Sequence, residues 1–451
     1  HCIVARKGRF FKVAFIDDVT QEALPLSVIE DQLQQCVQIA DADDDNANTN
    51  NHNNNLQLGW LTSGNRDDWA HAREALLLAG GDKLQSALEV LESGAILLCL
   101  DDEEPESRRQ CGNVFWHGGG QNNRTGGNRW FDKSVQIFVT NNGKLGLMGE
   151  HSMMDGMPMI RLADRVANMT YAKAQERTAG GSVAVTPVED IFGACAEELQ
   201  KGYHGDVVSN LISKAEMALK ELIDNHQLHV QSFQAFGSSY IKQAGYSPDA
   251  FVQQAIQLAT YRLFGKQAAT YEATQTRPFL HGRTETTRAV STASSKFLDR
   301  MGLKPLYDEH DPQAVNEKLE LLSGAIDSHV KYMRGAAQGL GVDRHLLGLA
   351  LLVKDGEEPP ALLVDPVTKR SKHWRVSTSH LSHPRFDNWG FGEVVPDGVG
   401  VAYGIKNDCC LFNITARREH DWTDRLSHLL EEALLEMRTL CDAKEAGVSR
   451  L

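Results

Sequence analysis

No single hydrophobic core holds a chain of 451 residues, and this constraint organises the rest of the reading. Cores stop growing beyond roughly 250–300 residues, and chains then divide. With about 150 residues per domain as a guide, two large α/β domains with a cleft between them are expected. The apolar runs are short. Ala95–Leu100 and Leu346–Val353 fall far below the about 20 residues that span a bilayer, so no transmembrane segment is expected. A formal net charge of −14 disfavours nucleic acid or an anionic membrane as partner, because either needs a basic face.

The segment Thr178–Thr186, Gly- and Ser-bearing, lies after the first strand-rich region and is taken as the boundary, giving domains 1–190 and 191–451. Asp41–Asn55 is almost wholly Asp and Asn and reads as an inserted surface loop. Asp101-Asp102-Glu103-Glu104-Pro105 reads as a second, solvated loop, since the calcium-loop spacing is missing. Ser247-Pro248-Asp249 predicts a helix start with a capping serine, continued by Val252, Ala255, Ile256, Ala259 and Leu263 to a stop at Gly265. Trp422, Leu426, Leu429, Leu430, Ala433 and Met437 mark a long carboxy-terminal helix. Eight cysteines without C-x-x-C pairs read as reduced thiols of an intracellular protein, with no metal site implied. The chain opens on His1 without a signal pattern, so a fragment or processed product is expected.

Val135, Ile137 and Val139 alternate, Asn141-Asn142-Gly143 turns, and Leu145, Leu147 and Met148 return, which predicts a hairpin. It runs out into Glu150-His151-Ser152-Met153-Met154-Asp155-Gly156, placing a histidine at a strand end and a carboxylate four residues on. A neutral imidazole, with a reference pKa of about 6.5, takes a proton from a thiol or an alcohol once a second group fixes its tautomer. Asp155 or the nearby backbone supplies that group. Taken alone, the segment is better explained by one of 17 histidines in a solvated loop.

Its company decides otherwise. Leu61-Thr62-Ser63 with Arg66-Asp67 and Trp69, His117-Gly118-Gly119-Gly120, and Asn128-Arg129-Trp130-Phe131-Asp132-Lys133 precede it. Ser247-Pro248-Asp249-Ala250-Phe251, Thr270-Tyr271-Glu272, Gly282-Arg283-Thr284-Glu285-Thr286, Asp343-Arg344-His345, Ser377-Thr378-Ser379 and Val394-Val395-Pro396-Asp397-Gly398 follow. Together, and in this order, they resemble the carnitine/choline acyltransferase family over nearly the whole chain. The resemblance implies the two-domain CoA-dependent acyltransferase fold, each domain a mixed sheet flanked by helices, with a tunnel at the interface. It also implies that the family's amino-terminal part is missing before His1.

The resemblance assigns roles residue by residue. His151 is the general base, deprotonating the carnitine hydroxyl or, in reverse, the CoA thiol, and the spacing adds Asp155 as its candidate orienting partner. Ser379 matches the hydroxyl that stabilises the oxyanion of the transition state; without the register it would be an ordinary strand serine. Arg344 matches the guanidinium that holds the carnitine carboxylate, with Tyr271 and Thr284 as further contacts. Phe391 matches the aromatic face for the trimethylammonium, although Tyr271 and Phe391 also suit simple core packing. Arg344 and Thr284-Glu285-Thr286 favour carnitine over choline. CoA, as acyl-CoA co-substrate, is expected at Lys242, Ser247 and Asp249. Ser238 stands where the family has a first lysine, and His380 where it commonly has glutamine. Trp389 falls where short-chain members carry a bulky residue, which implies an acyl pocket closed beyond a few carbons.

The expected activity is therefore reversible transfer of an acetyl group between CoA and L-carnitine, without an acyl-enzyme, by a monomer. The rivals are a medium-chain enzyme and a non-catalytic CoA-ligand-binding fragment. His117-Gly118-Gly119-Gly120 resembles a lipase oxyanion loop, but no G-x-S-x-G elbow accompanies it. Gly398-Val399-Gly400 lacks the third glycine of a dinucleotide site and leads into a strand-like run. The chain ends Ser449-Arg450-Leu451, a variant of the peroxisomal S-K-L tail, so a peroxisomal address is expected, with the mitochondrion as the family's other short-chain compartment.

Overall fold

The computed structural model describes residues 1–45, 56–119, 125–170, 172–174, 187–305 and 311–448. The chain forms two compact units, His1–Asp224 and Asn225–Leu451. The first unit thus extends past the boundary expected near residue 190, because Phe192, Cys195, Leu199 and Val208 are part of its core. The linker segment 178–186 and the tail 449–451 lie outside the described residues.

The first unit is built on five strands, β1 Cys2–Arg6, β2 Arg9–Val13, β3 Leu97–Asp101, β4 Val135–Thr140 and β5 Leu145–Gly149, in the order β2-β1-β3-β4-β5. The inner pairings are parallel and the two outer ones antiparallel. Period-two alternation sends β1 to both faces. Ile3 and Ala5 join a core with Leu76, Leu84, Leu88 and Leu91 of helix α2 (Arg66–Ser93). Cys2 and Val4 join Cys36 and Ala40 of α1 (Leu26–Asp45). Further helices of this unit are α3 (Arg108–His117), α4 (Gly156–Ala167) and α5 (Gly202–Asn225).

Two acidic segments differ from their sequence reading. Asp41 to Asp45 continue α1 instead of opening a loop, and Asp41 is held there by Arg6 at 2.9 Å and Lys7 at 3.0 Å; residues 46–55 lie outside the described residues. Asp101 is not solvated. It ends β3 and pairs with Arg129 through two hydrogen bonds of 2.8 and 2.7 Å, both side chains being fully buried. The Arg129 guanidinium also lies 4.2 Å from the Phe138 ring centroid, so the charge is enclosed by an acid and an aromatic face.

The second unit carries six strands: β6 His226–Phe233, β7 Thr270–Gln275, β8 Thr284–Arg288, β9 Val376–His380, β10 Val399–Ile405 and β11 Cys410–Arg417. Their order is β6-β11-β10-β9-β7-β8, with β9 parallel to both its neighbours. Behind the sheet lies α7 (Pro248–Phe264), after the short α6 (Ser238–Gln243). The predicted stripe of α7 is buried, and so are its glutamines Gln253, Gln254 and Gln257. Helices α8 (Thr292–Met301), α9 (Pro312–Ala337) and the carboxy-terminal helix Thr423–Val448 complete this core through Phe297, Leu322, Leu426, Leu430 and Met437. Helix α10 (Asp343–Leu351) carries Arg344 in its first turn. All eight cysteines are free thiols, and no described helix is long and apolar enough to cross a membrane.

The buried Asp101–Arg129 pair generates a stability prediction. Asp101→Ala leaves a guanidinium buried without its counter-charge and is expected to cost about 3–5 kcal/mol, read as a lowered urea midpoint. A shift equivalent to less than about 1 kcal/mol would show that the pair does not organise the β3 end.

Candidate active site

In the first unit the hairpin forms as expected, with Val135 opposite Gly149 and Gly143 at φ 76° in the turn. Beyond β5 the chain turns through residues 151–153 into α4. The Glu150 carboxylate accepts the Ser152 backbone N–H at 3.0 Å, and also the Ser152 hydroxyl. His151 Nδ1 lies 3.0 Å from the Met154 carbonyl oxygen. A carbonyl only accepts, so this contact places the proton on Nδ1 and the lone pair on Nε2. Asp155 Oδ1 lies 3.6 Å from the same nitrogen, beyond ordinary hydrogen-bond length. The backbone carbonyl is therefore the nearer orienting group. Asp155 occupies the N-cap position of α4 without a side-chain cap bond.

In the second unit three expected carboxylate contacts come together. Arg344 donates from Nη2 to the Tyr271 hydroxyl at 3.1 Å and to Thr284 Oγ1 at 3.3 Å, and from Nε to the Thr284 carbonyl at 3.0 Å. Tyr271 and Thr284 reach it from the paired strands β7 and β8. The start of α10 is fixed by groups that sequence reasoning missed. Arg288 donates twice to the buried Asp343, at 2.9 and 2.7 Å, and both Glu285 oxygens accept the Arg344 backbone N–H at 3.3 Å. The advance sign for Glu285 and Asp343 was their place inside the matched Thr-Glu-Thr and Asp-Arg-His segments; Arg288 lies outside both.

Ser379 lies on β9, half-buried, opposite Ala402 in register. Its neighbours in sequence point the other way, into a buried polar network. Thr378 donates to the Tyr271 carbonyl at 2.8 Å and accepts from Gln253 at 2.9 Å. Gln253 also donates to the Tyr403 hydroxyl, which donates in turn to Asp249 at 2.7 Å. His380 stacks on the Tyr403 ring, with centroids 5.0 Å apart, and its Nδ1 lies 3.3 Å from Asp249 Oδ1.

Asp249 is thus turned toward Tyr403 and His380. Ser247 holds the N-cap position of α7 but makes no side-chain cap bond, contrary to the expected capping serine. Pro248 supplies the preset first turn, and the Ser247 carbonyl accepts the Phe251 N–H at 2.9 Å. Burial raises the Asp249 carboxyl, but the hydrogen bond and charge of His380 and the Tyr403 hydroxyl outweigh it and hold it at about 2. Glu272 lies beside it and accepts from His329 Nε2 at 2.5 Å. Burial pushes Glu272 up from its ordinary 4.5 to about 7, opposed by His329 and reinforced by the Asp249 charge. Burial alone would lower His329, yet its bond to Glu272 raises it. Asp249, Glu272 and His329 place their ligand atoms within 4.8 Å of one another, and internal hydrogen bonding accounts for that closeness.

Lys242 ends α6 and is exposed. Trp389 and Phe391 pair with ring centroids 5.6 Å apart. The Trp389 indole N–H donates to the Tyr403 carbonyl at 3.1 Å, and Thr415 Oγ1 donates to the Phe391 carbonyl at 2.9 Å.

A family model described as Choline/Carnitine O-acyltransferase matches residues 1–432. The chain is 34% identical over 391 residues to the mitochondrial carnitine O-acetyltransferase of Saccharomyces cerevisiae, covering 84% of this chain and 54% of the relative. It is 34% identical over 393 residues to the carnitine O-acetyltransferase of Mus musculus, covering 85% and 59%. It is 30% identical over 401 residues to the choline O-acetyltransferase of Sus scrofa, covering 87% and 60%. The chain therefore spans between about half and three-fifths of the length of these relatives.

The Glu272–His329 pair has a pH signature. Both groups sit above their ordinary values when folded, so folding takes up protons. The contribution of Glu272 is complete below about pH 4.5 and is lost as pH rises through about 7. The urea midpoint of wild type is expected to fall, relative to that of Glu272→Gln, between those two pH values. Parallel midpoint curves for the two proteins would contradict this.

Proposed function

The chain belongs to the choline/carnitine O-acyltransferase family, and on that premise we propose that it transfers a short acyl group, acetyl in the first instance, between CoA and L-carnitine. The observation that carries this reading is the convergence of Arg344, Tyr271 and Thr284. A guanidinium flanked by two hydroxyls offers a carboxylate a charged donor fork and two neutral donors. Choline has no carboxylate for that cluster to hold; carnitine has one.

His151 acts as general base through Nε2. It removes the carnitine hydroxyl proton as the oxygen attacks the thioester carbonyl, and the imidazolium then returns that proton to the departing CoA thiolate. The reverse reaction begins at the thiol. The acyl group passes directly between substrates, and the negative oxygen formed during attack is met by the Ser379 hydroxyl, a donor that gains strength only as charge develops. The Met154 carbonyl holds the ring in the orientation that the step needs. Phe391 offers its ring face to the trimethylammonium, which has no hydrogen to donate. Lys242 supplies the positive charge for the CoA phosphate. Trp389, tied to β10 by its indole N–H, gives the acyl chain a fixed wall.

Thiol release from acetyl-CoA, octanoyl-CoA and palmitoyl-CoA, each with carnitine or choline, tests the reading on the full-length protein. Release with acetyl-CoA and carnitine is expected to exceed every other combination. His151→Ala is expected to lower kcat by about 10²- to 10⁴-fold while substrate binding persists; near-normal turnover would remove His151 from the base role. Arg344→Asn is expected to raise the carnitine KM roughly 10- to 150-fold with little change for CoA. A second pair of measurements addresses chain length: Trp389→Gly should admit octanoyl-CoA, and its failure to do so would remove Trp389 as the limiting wall.

A further inference from the structure

The segment that brings Trp389 and Phe391 to the sheet is irregular chain between β9 and β10. It is pinned in succession across neighbouring strands: Trp389 to the Tyr403 carbonyl of β10, Phe391 to Thr415 of β11, and Glu393 to His226 at the start of the edge strand β6. Glycine permits this close approach. A Cβ on Gly390 would meet Asn413 Nδ2 at 2.7 Å, and one on Gly400 would meet the Gly392 carbonyl oxygen at 2.9 Å.

The third pin differs in kind from the first two. His226 Nε2 lies 2.7 Å from Glu393 Oε1, with side-chain exposures of 14% and 5%. His226 stands opposite Arg417 in the β6–β11 register, and Arg417 Nε lies 3.9 Å from the same carboxylate oxygen. Glu393 Oε2 is buried without a hydrogen-bond partner. A carboxylate carried inside a loop and left half-satisfied is unfavourable by itself. It stays inside because His226, with Arg417 at longer range, compensates its charge, and that compensation is also what keeps the carboxyl below its ordinary range against burial.

We propose that the His226–Glu393 pair is a positioning device that clamps the 389–393 segment onto the sheet and so sets where the Trp389 wall and the Phe391 ring stand. Its consequence for catalysis rests on the acyl-transfer reading given above; the clamp itself does not. Neither residue touches substrate in this account. Both act through the segment they hold, so their loss affects carnitine affinity and acyl selection and spares the chemical step.

The test uses the full-length protein with His226→Gln, Glu393→Gln and the exchanged double variant His226→Glu/Glu393→His. Amide hydrogen exchange across residues 386–396 reads the clamp directly, since it reports local opening. Each single variant is expected to speed exchange there by about tenfold, with the core helix α7 unchanged, and the exchanged pair to restore slow exchange. In acyl transfer, the single variants are expected to raise the carnitine KM about fivefold or more and to increase octanoyl-CoA use relative to acetyl-CoA, with kcat within about twofold. Exchange at 386–396 that stays at the wild-type rate, or rises equally throughout the second unit, overturns the proposal. So does a kcat loss without a KM change. If the single variants fail to fold, the exchanged pair decides the matter: slow exchange with wild-type KM supports the clamp, and rapid exchange at 386–396 overturns it. Absence of acyl transfer by wild type would overturn the functional reading and leave the exchange result intact.

Discussion

A carbonyl oxygen accepts hydrogen bonds and cannot donate them, and the Met154 carbonyl, 3.0 Å from His151 Nδ1, therefore decides which ring nitrogen carries the proton. All that is proposed for this histidine depends on that choice. The choice is local in origin. The β4–β5 register delivers Glu150 and His151 just past the last ladder pair, the turn brings Met154 back under the ring, and α4 begins at once with Asp155 at its N-cap position. A hairpin and a helix start, each formed for ordinary reasons of alternation and backbone satisfaction, fix a tautomer without needing a carboxylate in hydrogen-bond contact.

In the second unit, strand alternation separates the groups proposed for recognition from those that support them. Tyr271 and Glu272 are adjacent on β7, yet the Tyr271 hydroxyl reaches Arg344 while Glu272 is buried against His329. Thr378 and Ser379 on β9 divide in the same way, one bonded into the interior and the other half-buried. The interior face is dense with titratable groups that hold one another. Tyr403, His380 and Asp249 form one set, and Glu272 and His329 the adjoining one. The strands that present the groups proposed to meet substrate are thus anchored by polar bonds on their hidden side, where loss of one partner leaves another unsatisfied.

How much of this was legible in the sequence follows from the range of the forces involved. Period-two alternation revealed the β4–β5 hairpin, and helical spacing revealed α7 and the carboxy-terminal helix, because those signals are local. The buried fate of Asp101 was not legible, since its counter-charge Arg129 lies 28 residues away and an acidic run reads as solvated until its partner is known. The continuation of α1 past Asp41 was not legible for the same reason, Asp41 being paired with Arg6 and Lys7 of a distant segment. Arg344, Tyr271 and Thr284 were found by resemblance and do meet. The Arg288–Asp343 pair that seats them, and the turn of Asp249 toward Tyr403 and His380, depend on contacts between segments about 55 to 150 residues apart, which no local pattern encodes.

The most direct test of the central claim is the protonation state of the His151 ring, read by ¹⁵N NMR of the side-chain nitrogens in histidine-labelled protein above the imidazole titration, with His151→Ala to identify the signals. The account predicts a proton on Nδ1 and an unprotonated Nε2. A neutral ring with its proton on Nε2 would contradict it, because the nitrogen assigned to remove the substrate proton would then have no lone pair with which to do so.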